Sequence, residues 1–271
     1  MYRKFMVAGV ILLCSLSNVF ALSFLGSPTA ELDKSQTRIG YNYSQSMQDL
    51  EKTKQDWYVI DTGVVTGSGQ GQLRIEDLNI QRHYAGINYG LGDQWEVFVR
   101  LGLTEVKGDI HWLVVDSTSG YNFDSDFTWG WGTKVTLLED DKIDWGASFQ
   151  MNWLDINANK TGTDAINGPW KEDFELDAYD MLFAFGPKID MGGWELYGGP
   201  FYYYFSSDYD WQRNYYTINS IDKECADLEA GSNFGGFLGA QCNLSESSTM
   251  TVELSATGDG WGVGAGATFK Y

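Results

Sequence analysis

Two acid pairs offer the most direct chemistry in this sequence. Asp109-Ile-His111 sets a carboxylate two residues from one of the chain's two histidines, and Asp208-Tyr-Asp210 repeats that spacing with two carboxylates. Residues two apart on a strand share a face. Each pair could therefore hold a water molecule, the histidine serving as a base beside the carboxylate that orients it. A third run, Asp155-Ile-Asn157-Ala-Asn159 followed by Asp164, presents oxygens at alternate positions as the start of a calcium loop does. Lys160 and Ile166 stand where such a loop needs its glycine and its bidentate acid. At most loosely bound Ca2+ or Mg2+ is expected, and no other cofactor. His83, the other histidine, reads as a strand-end residue.

The elements that must carry these residues are strands. From Ile39 onward apolar residues recur at every second position, as in Trp95, Val97, Val99, Leu101, Leu103 and in Trp145, Ala147, Phe149, Met151, Trp153. That period places successive side chains on opposite faces of a sheet. The positions between them are of another kind: Arg38, Arg82, Glu96, Arg100, Lys134, Asp144, Asp180, Lys188 and Glu195, interspersed with glycine. If the apolar face met lipid, these charges of both signs would line a narrow lumen and pair across it, because an unpaired buried charge is costly. Pro200 interrupts one strand and reads, with Gly198 and Gly199, as a bulge.

Connection lengths sort by end. Short turns around Gly92-Asp93, Glu139 to Lys142 and Asp190 to Gly193 alternate with long polar connections near 48–72, 104–125, 155–175 and 207–227. Short turns on one side and long loops on the other are the asymmetry of a transmembrane β-barrel. Trp95, Trp145 and Trp194 each follow one of the short turns, which puts three indoles at one level, where apolar rings with a polar N–H mark a headgroup boundary. The expected fold is all-β: a closed antiparallel up-and-down transmembrane barrel of about ten strands, within two either way. Stretches 57–80 and 209–221 could extend strands beyond the membrane.

The first residues bear on address. Met-Tyr-Arg-Lys, an apolar run from Phe5 to Ser17 and then Val19-Phe20-Ala21 form the pattern of a cleavable secretory signal. The expected organisation is a signal over 1–21, a short periplasmic segment over 22–34 and a barrel over 35–271. Removing Arg3 and Lys4 with the signal takes the net charge from −19 to −21, which argues against nucleic acid as a partner. With 11 Trp, 16 Tyr and 32 Gly against 4 Pro, the composition suits many strands set in aromatic girdles. Cys225 and Cys242 would sit at opposite ends of a membrane crossing, roughly 40 Å apart at about 3.3 Å per residue. A disulfide needs Cα atoms within about 7 Å, so no bridge is expected.

The closing segment, Trp261-Gly-Val263-Gly-Ala265-Gly-Ala267-Thr-Phe269-Lys-Tyr271, resembles the last strand of Gram-negative outer-membrane β-barrel proteins, in general plan the small OmpA- and OmpW-like barrels. The resemblance implies that this strand is read by the outer-membrane assembly machinery, with Tyr271 as the terminal aromatic. It also implies a monomer in contact with lipid and lipopolysaccharide. Omptin-like proteases, ten-stranded barrels of the same membrane, use an Asp pair and an Asp–His pair on their outer rim. Asp208, Asp210, Asp109 and His111 are of those types, in reversed order along the chain. The leading expectation is a protein without catalysis, structural or surface-interacting through acidic extracellular loops. A small diffusion pore is the alternative, and an omptin-like hydrolase the second.

Overall fold

The structure, a computed structural model, describes residues 23–50, 53–113, 117–123, 125–230 and 233–271. The segment read as a signal lies outside them. Thirteen strands follow in order: β1 (Thr37–Gln48), β2 (Thr53–Asp61), β3 (Val64–Gly92), β4 (Trp95–Trp112), β5 (Ser117–Asn122), β6 (Asp126–Leu138), β7 (Ile143–Asp164), β8 (Gly168–Asp190), β9 (Trp194–Tyr215), β10 (Ser220–Glu229), β11 (Phe234–Asn243), β12 (Ser248–Thr257) and β13 (Gly260–Lys270). Ten of them, β1-β3-β4-β6-β7-β8-β9-β11-β12-β13, close an antiparallel ring, with β13 sealed on β1 from Arg38↔Lys270 to Gln48↔Gly260. Closure leaves the ring no free edge to pair with another chain.

The short turns lie at one end, between Gly92 and Trp95, Leu138 and Ile143, Asp190 and Trp194, and Asn243 and Ser248. The opposite end departs from expectation. The long connections are largely strand: β7 and β8 stay paired from Ile143↔Ile189 to Asp164↔Gly168. β3 begins at Val64, and β2 bridges it to β10, which pairs back on β9. The wall therefore continues past the membrane as a β-platform.

One change of parity marks where the membrane stops. In the lower part of β7, Met151 and Trp153 point outward, while Gln150 and Asn152 are 1 % and 0 % exposed inside. At Trp153-Leu154 the pattern flips: Leu154 and Ile156 are buried inside and Asp155 and Asn157 face out. On β8 and β9 only the outward face changes, from Met181 and Tyr179 to Asp177 and Glu175 and from Tyr202 and Tyr204 to Asp208 and Asp210, while Leu182, Ala184, Phe201 and Tyr203 keep the inward face apolar below as well. Lipid outside gives way to water outside, and an interior of mixed polar and apolar side chains to an apolar one. Above the switch, Leu73, Ile75, Ile110, Ile156, Phe174 and Leu176 share one buried core.

Three local expectations are corrected. Pairing between β8 and β9 lapses between Ala184↔Phe201 and Lys188↔Tyr197 with no residue inserted, so Pro200 marks an interruption and not a bulge; Pro187 on the facing strand supplies a second missing N–H donor. His83 lies well inside β3, facing out, with its Nδ1 2.6 Å from the Tyr41 hydroxyl. The segment expected to hang in the periplasm, 22–34, also goes elsewhere: residues 23–32 enter the barrel, where Ser23, Leu25, Ser27 and Thr29 are buried.

Candidate functional site

The lumen is a built polar interior. Arg82 on β3 donates through Nη2 to Asp180 on β8 at 2.6 Å, and Asn152 on β7 donates to the same carboxylate at 2.6 Å. Arg100 on β4 donates from Nε and Nη2 to the Asn152 carbonyl oxygen at 2.8 and 2.6 Å, which fixes the amide's orientation. Nearer the short turns Arg38 is paired with Glu31 and Glu96, and Lys188 lies 3.5 Å from Asp144 and 3.9 Å from Glu195. Lys134 is buried facing Gly26. Strands that are not neighbours in the ring thus pair their inward charges through the lumen, Arg82 of β3 with Asp180 of β8 and Arg38 of β1 with Glu96 of β4. Periodicity gave no place to Glu31, and Asn152, Gln241 and Glu253 gained their roles only from the partners that the closed ring brings to them.

Residues 23–32 complete this interior. The Leu25 and Gly26 amides donate to the two oxygens of Glu253, each at 2.9 Å, and Tyr197 donates to one of them at 3.1 Å. The Phe24 carbonyl accepts from Arg100 at 3.1 Å, the Ala30 amide donates to Thr136 at 3.1 Å, and the Glu31 amide donates to Glu96 at 3.0 Å. Two inward glycines make room. A Cβ on Gly146 would stand 2.7 Å from the Pro28 oxygen and 2.8 Å from the Thr29 Cα, and one on Gly264 would overlap the Phe24 ring. A cavity of about 60 Å³ is left between segment and wall, space for a few waters, and a wider recess of about 520 Å³ opens at the short-turn mouth beside Glu31, Arg38, Lys188 and Glu195.

The outer belt is apolar. Trp95 is 51 % exposed and Trp145 37 %, and with Trp194 they point outward just past the short turns. Tyr271 lies at the same end, its amide donating to the Thr37 carbonyl at 2.9 Å. Val99, Leu101, Trp131, Phe183 and Leu254 are outward and exposed between the two girdles. At the upper edge Trp129 and Trp153 stack with centroids 4.3 Å apart.

Immediately above that edge the outer face is acidic. Asp155, Asp177, Asp208 and Asp227 are direct cross-strand partners on β7, β8, β9 and β10. Glu175 and Asp210 are paired in the next row. Like charges placed opposite one another oppose sheet pairing. Burial pushes the Asp177 carboxyl above its ordinary range, and repulsion from Asp155, Asp208 and Asp210 adds to it. A raised carboxyl value means that this group's contribution is favourable below the unfolded-state value and is lost as pH rises through the folded one. Asp177→Asn is therefore expected to slow amide exchange in β7 and β8 above the membrane at neutral pH, with no difference at pH 3. Equal exchange at both pH values would count against the repulsion.

The calcium-loop reading is corrected by this geometry. Asp155, Asn157 and Asn159 lie along the outward face of a continuous strand, about 6.6 Å between successive members, too spread to converge on one ion. Asn157 donates to Asp155 at 3.0 Å, and Asp164 accepts the Ile166 and Asn167 amides at 2.8 Å each, closing the β7–β8 turn. Carboxylate oxygens do meet across strands at Asp155, Glu175 and Asp177, within 4.8 Å of one another, but exposed acids at such spacing also occur without an ion. The acid pairs do not meet. Asp109 and His111 face out from β4, Asp208 and Asp210 from β9, four strands away in either direction along the sheet. Cys225 pairs with Asp210 and Cys242 with Trp194, so some 16 residues of β9, roughly 50 Å, separate the two cysteines. Both are free.

No protein-family model matches the chain, and neither does any curated protein. Among solved structures it is similar to the outer membrane protease OmpT of Escherichia coli, at 10 % identity and a TM-score of 0.38 over 85 % of this chain and 97 % of that one. The translocator domain of the autotransporter NalP of Neisseria meningitidis gives 11 % and 0.46 over 89 % and 90 %, and the outer membrane protein OprG of Pseudomonas aeruginosa 9 % and 0.36 over 88 % and 97 %. What carries the assignment is this chain's own architecture: the closed ten-strand ring, the outward apolar belt between aromatic girdles, the charged groups paired inside and the turns sorted by length are those of a transmembrane β-barrel of the outer-membrane type.

Proposed function

We propose that this protein works as a closed barrel that presents its extracellular platform to a positively charged partner, without catalysis and without conducting. The observation that supports it is the filled interior: residues 23–32 occupy the lower lumen and the apolar core around Ile156 and Leu176 occupies the upper. A ring closed by β13 on β1 suits a monomer, with β13 as the strand read during assembly. The acidic outer row stands next to the upper girdle, at the level of the phosphates of lipopolysaccharide. Divalent cations would screen it there.

Two measurements test the reading. In planar bilayers the refolded protein is expected to give no unitary conductance steps, and steps would overturn it. A decalysine probe is expected to bind with an affinity that falls steeply with salt, while decaglutamate does not bind. Changing Asp155, Asp177 and Asp208 together to Asn is expected to weaken decalysine binding about tenfold or more, roughly 1.4 kcal/mol. Unchanged affinity in that triple variant would remove the acidic row as the binding face.

A further inference from the structure

We propose that the lower lumen is a binding site for an extended peptide, entered from the short-turn mouth, and that residues 23–32 occupy it as a removable ligand carried by the same chain. The site has what a peptide-recognition groove needs: wall groups aimed at the main chain and recesses for side chains. Glu253, 3 % exposed, takes two consecutive amides, Arg100 holds a carbonyl, and Thr136 and Glu96 take two more amides. Phe24 fills the recess that Gly264 leaves, and seven residues on the Glu31 carboxylate meets Arg38. The ligand class is accordingly a peptide with an aromatic residue near one end and an acid seven positions later.

Removability follows from how the segment is attached. Residues 23–32 contribute no strand to the ring, so the ten-strand ladder closes without them. Near the mouth the Lys34 amide meets Asp93 at 3.2 Å and the Ser35 amide meets Gly90 at 2.8 Å, and from there the chain turns directly into β1. The segment can thus leave downward about one hinge while the wall stays intact. Its departure would open a blind chamber and not a through pore, because the apolar core above remains. The inference rests on the same filled interior as the proposal of a closed, surface-binding barrel, but a segment that never leaves would overturn it and leave that proposal standing.

The test uses the intact mature chain with Cys225 and Cys242 changed to Ser and a single Ser27→Cys. Ser27 is 2 % exposed and its hydroxyl bonds to Thr29 within the segment, so the change leaves the wall contacts in place. A maleimide is expected to modify Cys at this position slowly while the barrel remains folded by gel mobility, at least tenfold more slowly than at the exposed Lys34→Cys. Adding Glu253→Gln, which removes the carboxylate from the Leu25 and Gly26 amides, is expected to raise the Ser27→Cys rate about tenfold. No modification of the folded chain over a day, with or without Glu253→Gln, would overturn the proposal. A second arm uses a chain starting at Ser35 and a fluorescent peptide of residues 23–34: saturable binding weakened at least tenfold by Glu253→Gln supports it, and no binding to the folded barrel overturns it. Should that shorter chain fail to fold, the labelling arm decides alone.

Discussion

Replacing Asp180 by Ala is expected to lower the unfolding free energy of the barrel by about 3–5 kcal/mol, the usual cost of removing one member of a buried ion pair. Asp180 is fully buried at 0 % exposure and Arg82 at 1 %. Without the carboxylate, Arg82 would lose its ion-pair partner on the same wall as Arg100, and the Asn152 amide and the Ser23 hydroxyl would lose an acceptor too. The measurement is the urea midpoint of the gel-mobility shift in lipid vesicles. Asp180→Leu combined with Arg82→Met should recover most of the loss, because a hydrophobic pair of similar volume is often as stable as a buried ion pair. If Asp180→Ala leaves the midpoint unchanged, water enters the lumen freely, and both the packed interior and the peptide site lose their basis.

The two faces of the wall differ in how far the sequence disclosed them. Within the membrane the period-two pattern gave the two faces of Trp95 to Leu103 and Trp145 to Trp153, the sorting of turns and loops by end said which face met lipid, and Arg100, Lys134 and Asp180 then fell inside by the same count. Above the membrane that pattern persists with its sense reversed, and a reading that follows only outward apolar residues loses the strand at Trp153-Leu154. The adjacent pair of large residues there is the signal that was present and unused. Residues 23–32 are harder, because they have no periodicity and take their position from partners more than a hundred residues away, such as Asp180 and Glu253. The inward glycines at 146 and 264 were visible, but a glycine in a strand does not say what fills the space before it.

The reversal of solvent along one strand leads to the last expected result. Ile156→Asp is expected to unfold the platform while leaving the membrane ring in place. Ile156 is 0 % exposed, pairs with Leu176 and belongs to the apolar core shared by β3, β4, β7 and β8. Truncating such a residue costs about 2–5 kcal/mol, and a carboxylate in its place adds the penalty of an unpaired buried charge. The buried apolar cluster runs on from the platform into the barrel through Leu182, Phe201 and Tyr203, but the ring below is also held by its own closed ladder, so the membrane part should keep its fold. Externally added protease is expected to cut within 155–175 in the variant and not in the parent, while the gel-mobility shift of the membrane part persists. Thr161→Asp, on the wet face of the same strand opposite Lys171, should leave both unchanged, which separates burial from charge. Full protease resistance in Ile156→Asp would mean that the upper interior is wet. The barrel would then be closed only by residues 23–32, and displacing them would have to open a continuous pore.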